Sequence, residues 1–243
     1  MNHFSSYHFT DHDGQHIFGW TSGKKSGYLS YPILDDPKSS LFAELLLINE
    51  FLFRREIFGV RILHGTGIRL HVSSGQVKKL FLKKVKCDLV EPLMRPLRLR
   101  LLGVDIETLR GSESYLPPPP TPGSEREEIH SGLVNPEDYM SFDTPNIGKV
   151  LITAHALDQY VDRLEDEVKP KRPLRSLLTR LENSKLAPII LPTSVKQHKD
   201  RKYGIETREC WGHLTSDMHF MFVRDKTGLA NLVTSYKRAP EYR

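Results

Sequence analysis

Ile152-Thr153-Ala154-His155-Ala156-Leu157-Asp158-Gln159-Tyr160-Val161-Asp162-Arg163 opens the C-terminal part of the chain, which closes on Leu229-Ala230-Asn231-Leu232-Val233-Thr234-Ser235-Tyr236-Lys237-Arg238. The first stretch predicts a helix over roughly 153–165. Pro173 suits the first turn of a second helix, Leu174 to Asn183, where its missing N–H has no partner to lose. Ala187 to Leu191, Tyr203 to Trp211, Met218 to Arg224 and Leu229 to Tyr236 read as four strands, with Asp225-Lys226-Thr227-Gly228 as a hairpin turn. A helix pair followed by an antiparallel meander results.

Upstream, Leu116-Pro117-Pro118-Pro119-Pro120-Thr121-Pro122-Gly123-Ser124 can form neither a helix interior nor a central strand, since proline lacks the N–H that both ladders use. It reads as a semi-rigid extended spacer. Residues 115–147 become a Pro-rich acidic linker between a domain at 1–114 and a domain at 148–243. The same prolines offer a ligand to a protein partner.

The first domain reads as mixed α/β. Ser6 to Thr10, Gln15 to Thr21 and Tyr28 to Leu34 look extended, with Gly14, Gly23 and Gly27 marking turns. Ser39 or Ser40 caps a helix on which Leu41, Leu45, Ile48 and Leu52 recur at helical spacing, and Gly59 ends it. Val60 to Leu63 and Ile68 to Ser73 are extended, Gln76 to Lys86 is a basic amphipathic helix, and Leu97 to Ile106 reads as a last strand. The fold class is therefore α+β in two domains.

The net charge of +5 is unevenly spread. Residues 54–110 carry 13 basic against 5 acidic residues, 111–143 carry 1 against 7, and 144–243 carry 18 against 12. Basic bodies attract phosphate backbones by counterion release, although a solvated surface gives the same count. No run approaches the ~18 apolar residues of a spanning helix, which excludes a membrane-embedded class. The start, Met1-Asn2-His3-Phe4-Ser5-Ser6, has no signal pattern. Cys87 and Cys210 form no disulfide framework and no metal-ligand spacing, which fits a reducing cytoplasm. His3, His8, His12 and His16 alternate poorly with a two-residue period and read as scattered polar residues rather than ligands.

Phe9-Thr10-Asp11, Ala43-Glu44-Leu45-Leu46 and Leu70-His71-Val72-Ser73-Ser74-Gly75-Gln76-Val77 give residues 5–107 an order that resembles the RNase H-like fold. The resemblance implies carboxylates gathered around two Mg²⁺ ions that activate water. Ser73 stands where that family has Asp, and Asp11, Asp13 and Glu44 alone make a poor cage. The resemblance thus implies an inactive relative; a generic α/β domain with Glu44 as a solvated helix residue is the plain alternative.

The Ile-Thr-x-His-Ala-Leu-x-x-Tyr-x-x-Arg opening, the helix-helix-meander order and the ending Val233-Thr234-Ser235-Tyr236 resemble the superfamily of metal-independent ribonucleases that includes barnase, EndoU, colicin tRNases and RelE toxins. That resemblance implies RNA cleavage through the substrate's own 2′-hydroxyl, with an acid, a base and cations on the phosphate and no cofactor. His155 and Arg163 lie eight residues apart on one helix, about 80° around it and roughly 12 Å along it. Thr234 and Tyr236 share a strand face at two-residue spacing. These four are the candidate catalytic residues. The candidate RNA-binding residues are Lys199, Arg201 and Lys202, in a cation-dense loop beside Tyr203, together with Arg224 and Lys237. The plain alternatives are an exposed or sheet-packed His155, surface salt bridges for Arg163, strand packing for Tyr236 and a solvated loop. The reading is an RNA-directed protein, either a toxin-like endoribonuclease of phage or mobile-element type or a binding protein that keeps both folds without the chemistry. A protein-interaction adaptor is the third class.

Overall fold

The structure is a computed structural model that describes residues 1–10, 16–31, 36–109, 120, 124–128, 135–164, 169–191, 193, 208–213 and 215–237. The chain divides into two units, Met1–Tyr139 and Met140–Arg243. Each has its own six-stranded sheet, so the class is α+β.

In the first unit three strands run antiparallel: β1 (Asn2–Thr10), β2 (His16–Ser22) and β3 (Lys25–Tyr31). Gly23, with φ of +60°, turns the chain between the last two, a conformation only glycine reaches without strain. Helix α1 (Ser39–Asn49) follows and runs into a π-helical turn, Glu50–Arg54. Strand β4 (Ile68–Val72) then pairs parallel with β1, placing Ser5 opposite His71. Helices α2 (Gly75–Phe81) and α3 (Glu91–Arg100) lead to β5 (Asp105–Thr108), parallel to β4. Strand β6 (Arg126–Glu128) closes the far edge beside β3.

The π-turn begins at Asn49–Glu50, so the helix stops short of Gly59. Val60 to Leu63 is irregular rather than extended, and the Ile62 carbonyl accepts from Arg100 Nε at 2.8 Å. The expected strand over Leu97 to Ile106 is corrected. Pro92 falls in the first turn of α3, where it is tolerated, and Leu93, Met94 and Leu97 form a buried helical stripe. Only Asp105–Thr108 is extended. Helix α2 is shorter than expected because the Lys83 and Lys84 amides bond the Leu80 and Lys79 carbonyls with Lys83 at φ +56°, a Schellman ending.

Helix α1 is buried nearly all round, by the sheet on one side and α3 on the other, with Leu45, Leu46, Leu47, Ile48 and Leu52 at the centre. The acidic segment read as linker is not structurally separate. Glu127 forms a two-pronged ion pair with Arg55, whose Nε also reaches Glu50 at 2.8 Å, and Tyr139 donates to Glu50 at 3.5 Å. Pro120 and Ser124 are described; the remainder of the 116–124 proline segment lies outside the described residues.

In the second unit β7 (Ser141–Thr144) and β8 (Gly148–Leu151) form a hairpin inside and just beyond the expected linker. Helix α4 (Ala154–Arg163) is capped by Thr153, whose Oγ1 accepts from the Ala156 amide at 3.1 Å. Helix α5 (Pro173–Leu181), β9 (Leu186–Pro188), β10 (Arg208–His213), β11 (Met218–Arg224) and β12 (Ala230–Lys237) complete it. The expected four-stranded antiparallel sheet is corrected to six strands in the order β7-β8-β12-β11-β10-β9, with β8 parallel to β12. A bulge at Met221/Phe222 interrupts the β11–β12 register.

Candidate functional site

The polar feature that α1, β1 and β4 assemble in the first unit centres on Glu44. Its side chain is buried in the middle of a helix beside Ala43, Leu45, Leu46 and Leu47, so it requires partners. Ser6 Oγ donates to Oε1 at 2.8 Å, the Ser73 amide to Oε1 at 2.7 Å, and Ser73 Oγ to Oε2 at 2.7 Å. Burial raises the Glu44 carboxyl above its ordinary range, and the donors from Ser73, Ser6 and Ser74 offset part of that rise.

Above this carboxylate a cavity of about 240 Å³ opens between the start of α1, the end of β1 and the β4–α2 turn. Lys38 and Gln76, both exposed, stand on its lining with His8 and Ser74. His8 Nε2 lies 2.8 Å from His16 Nδ1, and His16 Nε2 lies 2.5 Å from Ser39 Oγ. Burial first, then the neighbouring His16, push the His8 imidazole down to about 4, so it is neutral at physiological pH. From the Gln76 side of the cavity, α2 and its ending carry Lys78, Lys79, Lys83, Lys84 and Lys86, all exposed. No acidic residue occurs between Glu56 and Asp88.

The three positions that converge here are therefore Ser6, Glu44 and Ser73. Glu44 and Ser73 were readable from the sequence. Ser6 was not, because the Phe9-Thr10-Asp11 match placed the first-strand carboxylate at Asp11. Asp11 and Asp13 lie outside the described residues. The Mg²⁺ pair that the RNase H resemblance implies does not fit the donors among the described residues. Both Glu44 oxygens take hydroxyl or amide hydrogens, the partners are neutral serines, and among the described residues no group of three His, Cys, Asp or Glu side chains is placed to hold a metal.

The residues expected to carry metal-free cleavage are not brought together. Phe220 pairs with Ser235 and lies 6.4 Å from the Tyr160 ring, so that face of the sheet meets α4. His219 pairs with Tyr236 and Met221 with Thr234, which puts Thr234 and Tyr236 on the opposite face. On α4 the buried stripe is Ala156, Leu157 and Tyr160, whereas His155 and Arg163 are exposed. The sheet thus stands between His155 and Arg163 on one side and Thr234 and Tyr236 on the other. His155 Nε2 is 3.0 Å from Gln159 Nε2. Tyr236 OH contacts Cys210 Sγ at 3.2 Å, and burial followed by that contact raises its phenol.

Arg224 is engaged within the fold. Its guanidinium forks onto Glu209 at 2.7 and 3.0 Å and donates to the Gly228 and Ile147 carbonyls at 2.6 and 3.3 Å. It clamps the hairpin rather than facing a phosphate. Lys237 ends β12 opposite Met218. Lys199, Arg201 and Lys202 lie outside the described residues. Among the described residues no helix is long and apolar enough to cross a membrane.

No family model and no curated protein matches the chain. Among solved structures, RNase H1 from the halophilic archaeon Halobacterium salinarum NRC-1 is similar over 46% of this chain and 86% of that one, at 15% identity and a TM-score of 0.31. A likeness of this size assigns neither a family nor an activity.

Proposed function

We propose that this is a nucleic-acid-binding protein whose first unit keeps an RNase H-like arrangement without its hydrolytic chemistry. The observation that carries the reading is the polar cavity over Glu44. Among the described residues its one carboxylate is already engaged by serine donors, and its rim continues into five exposed lysines. Lysines on a short helix and its ending, with no acid among them, attract a phosphate backbone through counterion release and impose no sequence preference. Among the described residues a single carboxylate stands among neutral hydroxyls, which by themselves give no two-metal cage for an in-line displacement. The positions of His155, Arg163, Thr234 and Tyr236 give no support to acid-base cleavage in the second unit, because acid and base must flank one phosphate.

The test is to incubate the full chain with a labelled RNA–DNA hybrid in Mg²⁺ or Mn²⁺, and with single-stranded RNA in chelator, following binding and product together. Retained, intact substrate is expected in both arms. Hybrid cleavage that disappears with Glu44→Gln, or 2′,3′-cyclic phosphate ends that disappear with His155→Ala, would overturn it.

A further inference from the structure

We propose a second, separate ligand site in the second unit, a pocket built for a phosphate group, such as that of a mononucleotide or of a strand end. A cavity of about 200 Å³ lies between the C-terminal end of α5 and the β10–β11 connection. Among the described residues its polar side chains are Arg180, Asn183, His213 and Ser216, with no acidic residue in the lining.

The fold has used the acceptors of three of these groups and left their donors. Asn183 Oδ1 accepts from the Lys185 amide at 2.9 Å, which leaves the Nδ2 hydrogens. His213 Nδ1 lies 3.3 Å from the Thr215 amide and 2.8 Å from the Thr215 hydroxyl. A ring nitrogen that accepts from an amide carries no proton, so the neutral ring's hydrogen sits on Nε2. Ser216 Oγ accepts from the Met218 amide at 3.2 Å, which leaves its hydroxyl hydrogen. Arg180 has only donors, and its guanidinium lies 5.9 Å from the centre of the Tyr160 ring. A cavity that offers one fixed cation and several donors, with its acceptors occupied, suits a phosphate and disfavours a cation or a neutral donor-rich ligand.

The remaining wall is apolar. Leu186, Met218 and Phe220 complete the lining and are almost fully buried by the fold itself. The same chemistry is met by a free mononucleotide or by the terminal nucleotide of a strand. The site goes beyond the nucleic-acid reading of the first unit and does not depend on it.

The decisive variant is Asn183→Asp. It is isosteric, sits at an exposed position and keeps the acceptor for the Lys185 amide, but replaces the donating NH₂ with a negative charge. Adenosine 5′-monophosphate is titrated into the full chain by calorimetry, with Asn183→Asp and Arg180→Gln beside wild type. Adenosine, inorganic phosphate, and a short RNA with and without a 5′-phosphate are the other ligands. Binding of the nucleotide is expected, with each variant weakening it about tenfold or more, a loss of about 1.4 kcal/mol, at unchanged melting temperature. Adenosine should bind far more weakly. Preference for the 5′-phosphorylated RNA over its unphosphorylated form assigns the site to strand ends, and preference for the mononucleotide assigns it to a free nucleotide. Equal binding of adenosine and its phosphate, unchanged affinity in Asn183→Asp, or no nucleotide binding up to millimolar concentration would each overturn the proposal. The lysines of α2 are untouched throughout, so failure here and failure of the first-unit reading are distinguishable.

Discussion

Glu44 is the residue on which the first unit's chemistry turns, and its environment makes it a measurable pH element. A carboxyl whose folded pKa lies above its unfolded value stabilises the fold fully below the unfolded pKa and loses that contribution as pH rises through the folded one. Burial raises Glu44, so urea unfolding should show Glu44→Gln gaining stability relative to wild type as pH increases toward neutral. Glu44→Ala should instead destabilise by about 1–3 kcal/mol, because the Ser6 and Ser73 donors lose their partner. His8 acts in the opposite sense. Its folded pKa of about 4 lies below the ordinary value of 6.5, so its contribution is present above the latter and lost as pH falls between them. His8→Phe should flatten the acid side of the stability profile; an unchanged acid slope would contradict the assigned burial of that ring. Sequence singled out Glu44 and Ser73 by motif order. It missed Ser6 because only the parallel register of β1 on β4, Ser5 opposite His71, decides which first-strand residue meets the helix. It also placed Arg224 on RNA, since a sequence cannot show that Glu209 and two carbonyls already occupy its fork. Arg224→Gln should therefore lower the second unit's stability by about 1 kcal/mol, discounted for partial exposure, and leave RNA affinity unchanged.

Among elements, those set by local signals were legible. Strand β11 over Met218–Arg224, the Asp225 to Gly228 turn and the Pro173 helix start follow from alternation, turn chemistry and proline's fixed φ. The Asp225 carboxylate accepts from the Thr227 and Leu229 amides there, and Gly228 takes φ of +87°. Elements defined by a distant partner were not legible. Strands β6, β7 and β8 are three or four residues long, and β6 and β8 each run parallel to strands far away in sequence. Helix α3 holds two prolines, and its last turn, from Leu97, was read as the start of a strand running to Ile106. Two substitutions probe these elements by thermal melting. Gly65→Ala should cost about 1–3 kcal/mol by overpacking, because its Cβ would lie 2.5 Å from the Leu101 carbonyl oxygen and the Val104 amide nitrogen. Lys83→Gly should stabilise by up to about 1 kcal/mol, since glycine relieves the left-handed cap that ends α2. A destabilised Lys83→Gly would argue against that cap.

For the whole molecule, the charge pattern was the most useful sequence signal and the least specific. It identified a basic body at 54–110 and an acidic run after it. It did not show that part of the acid neutralises Arg55 through Glu127, while the lysines after Gln76 stay exposed. Those exposed lysines continue the rim of the Glu44 cavity on which the nucleic-acid reading rests, and their part in binding can be measured directly. The affinity of the full chain for single-stranded RNA should be followed against salt concentration, for wild type and for the combined Lys78→Gln, Lys79→Gln, Lys83→Gln, Lys84→Gln variant. Wild-type affinity should fall steeply with salt. The variant should bind more weakly and with a slope shallower by up to about three, four lost phosphate contacts at roughly 0.7 each. Equal affinity and equal slope in the two proteins would contradict the placement of the nucleic-acid surface on α2.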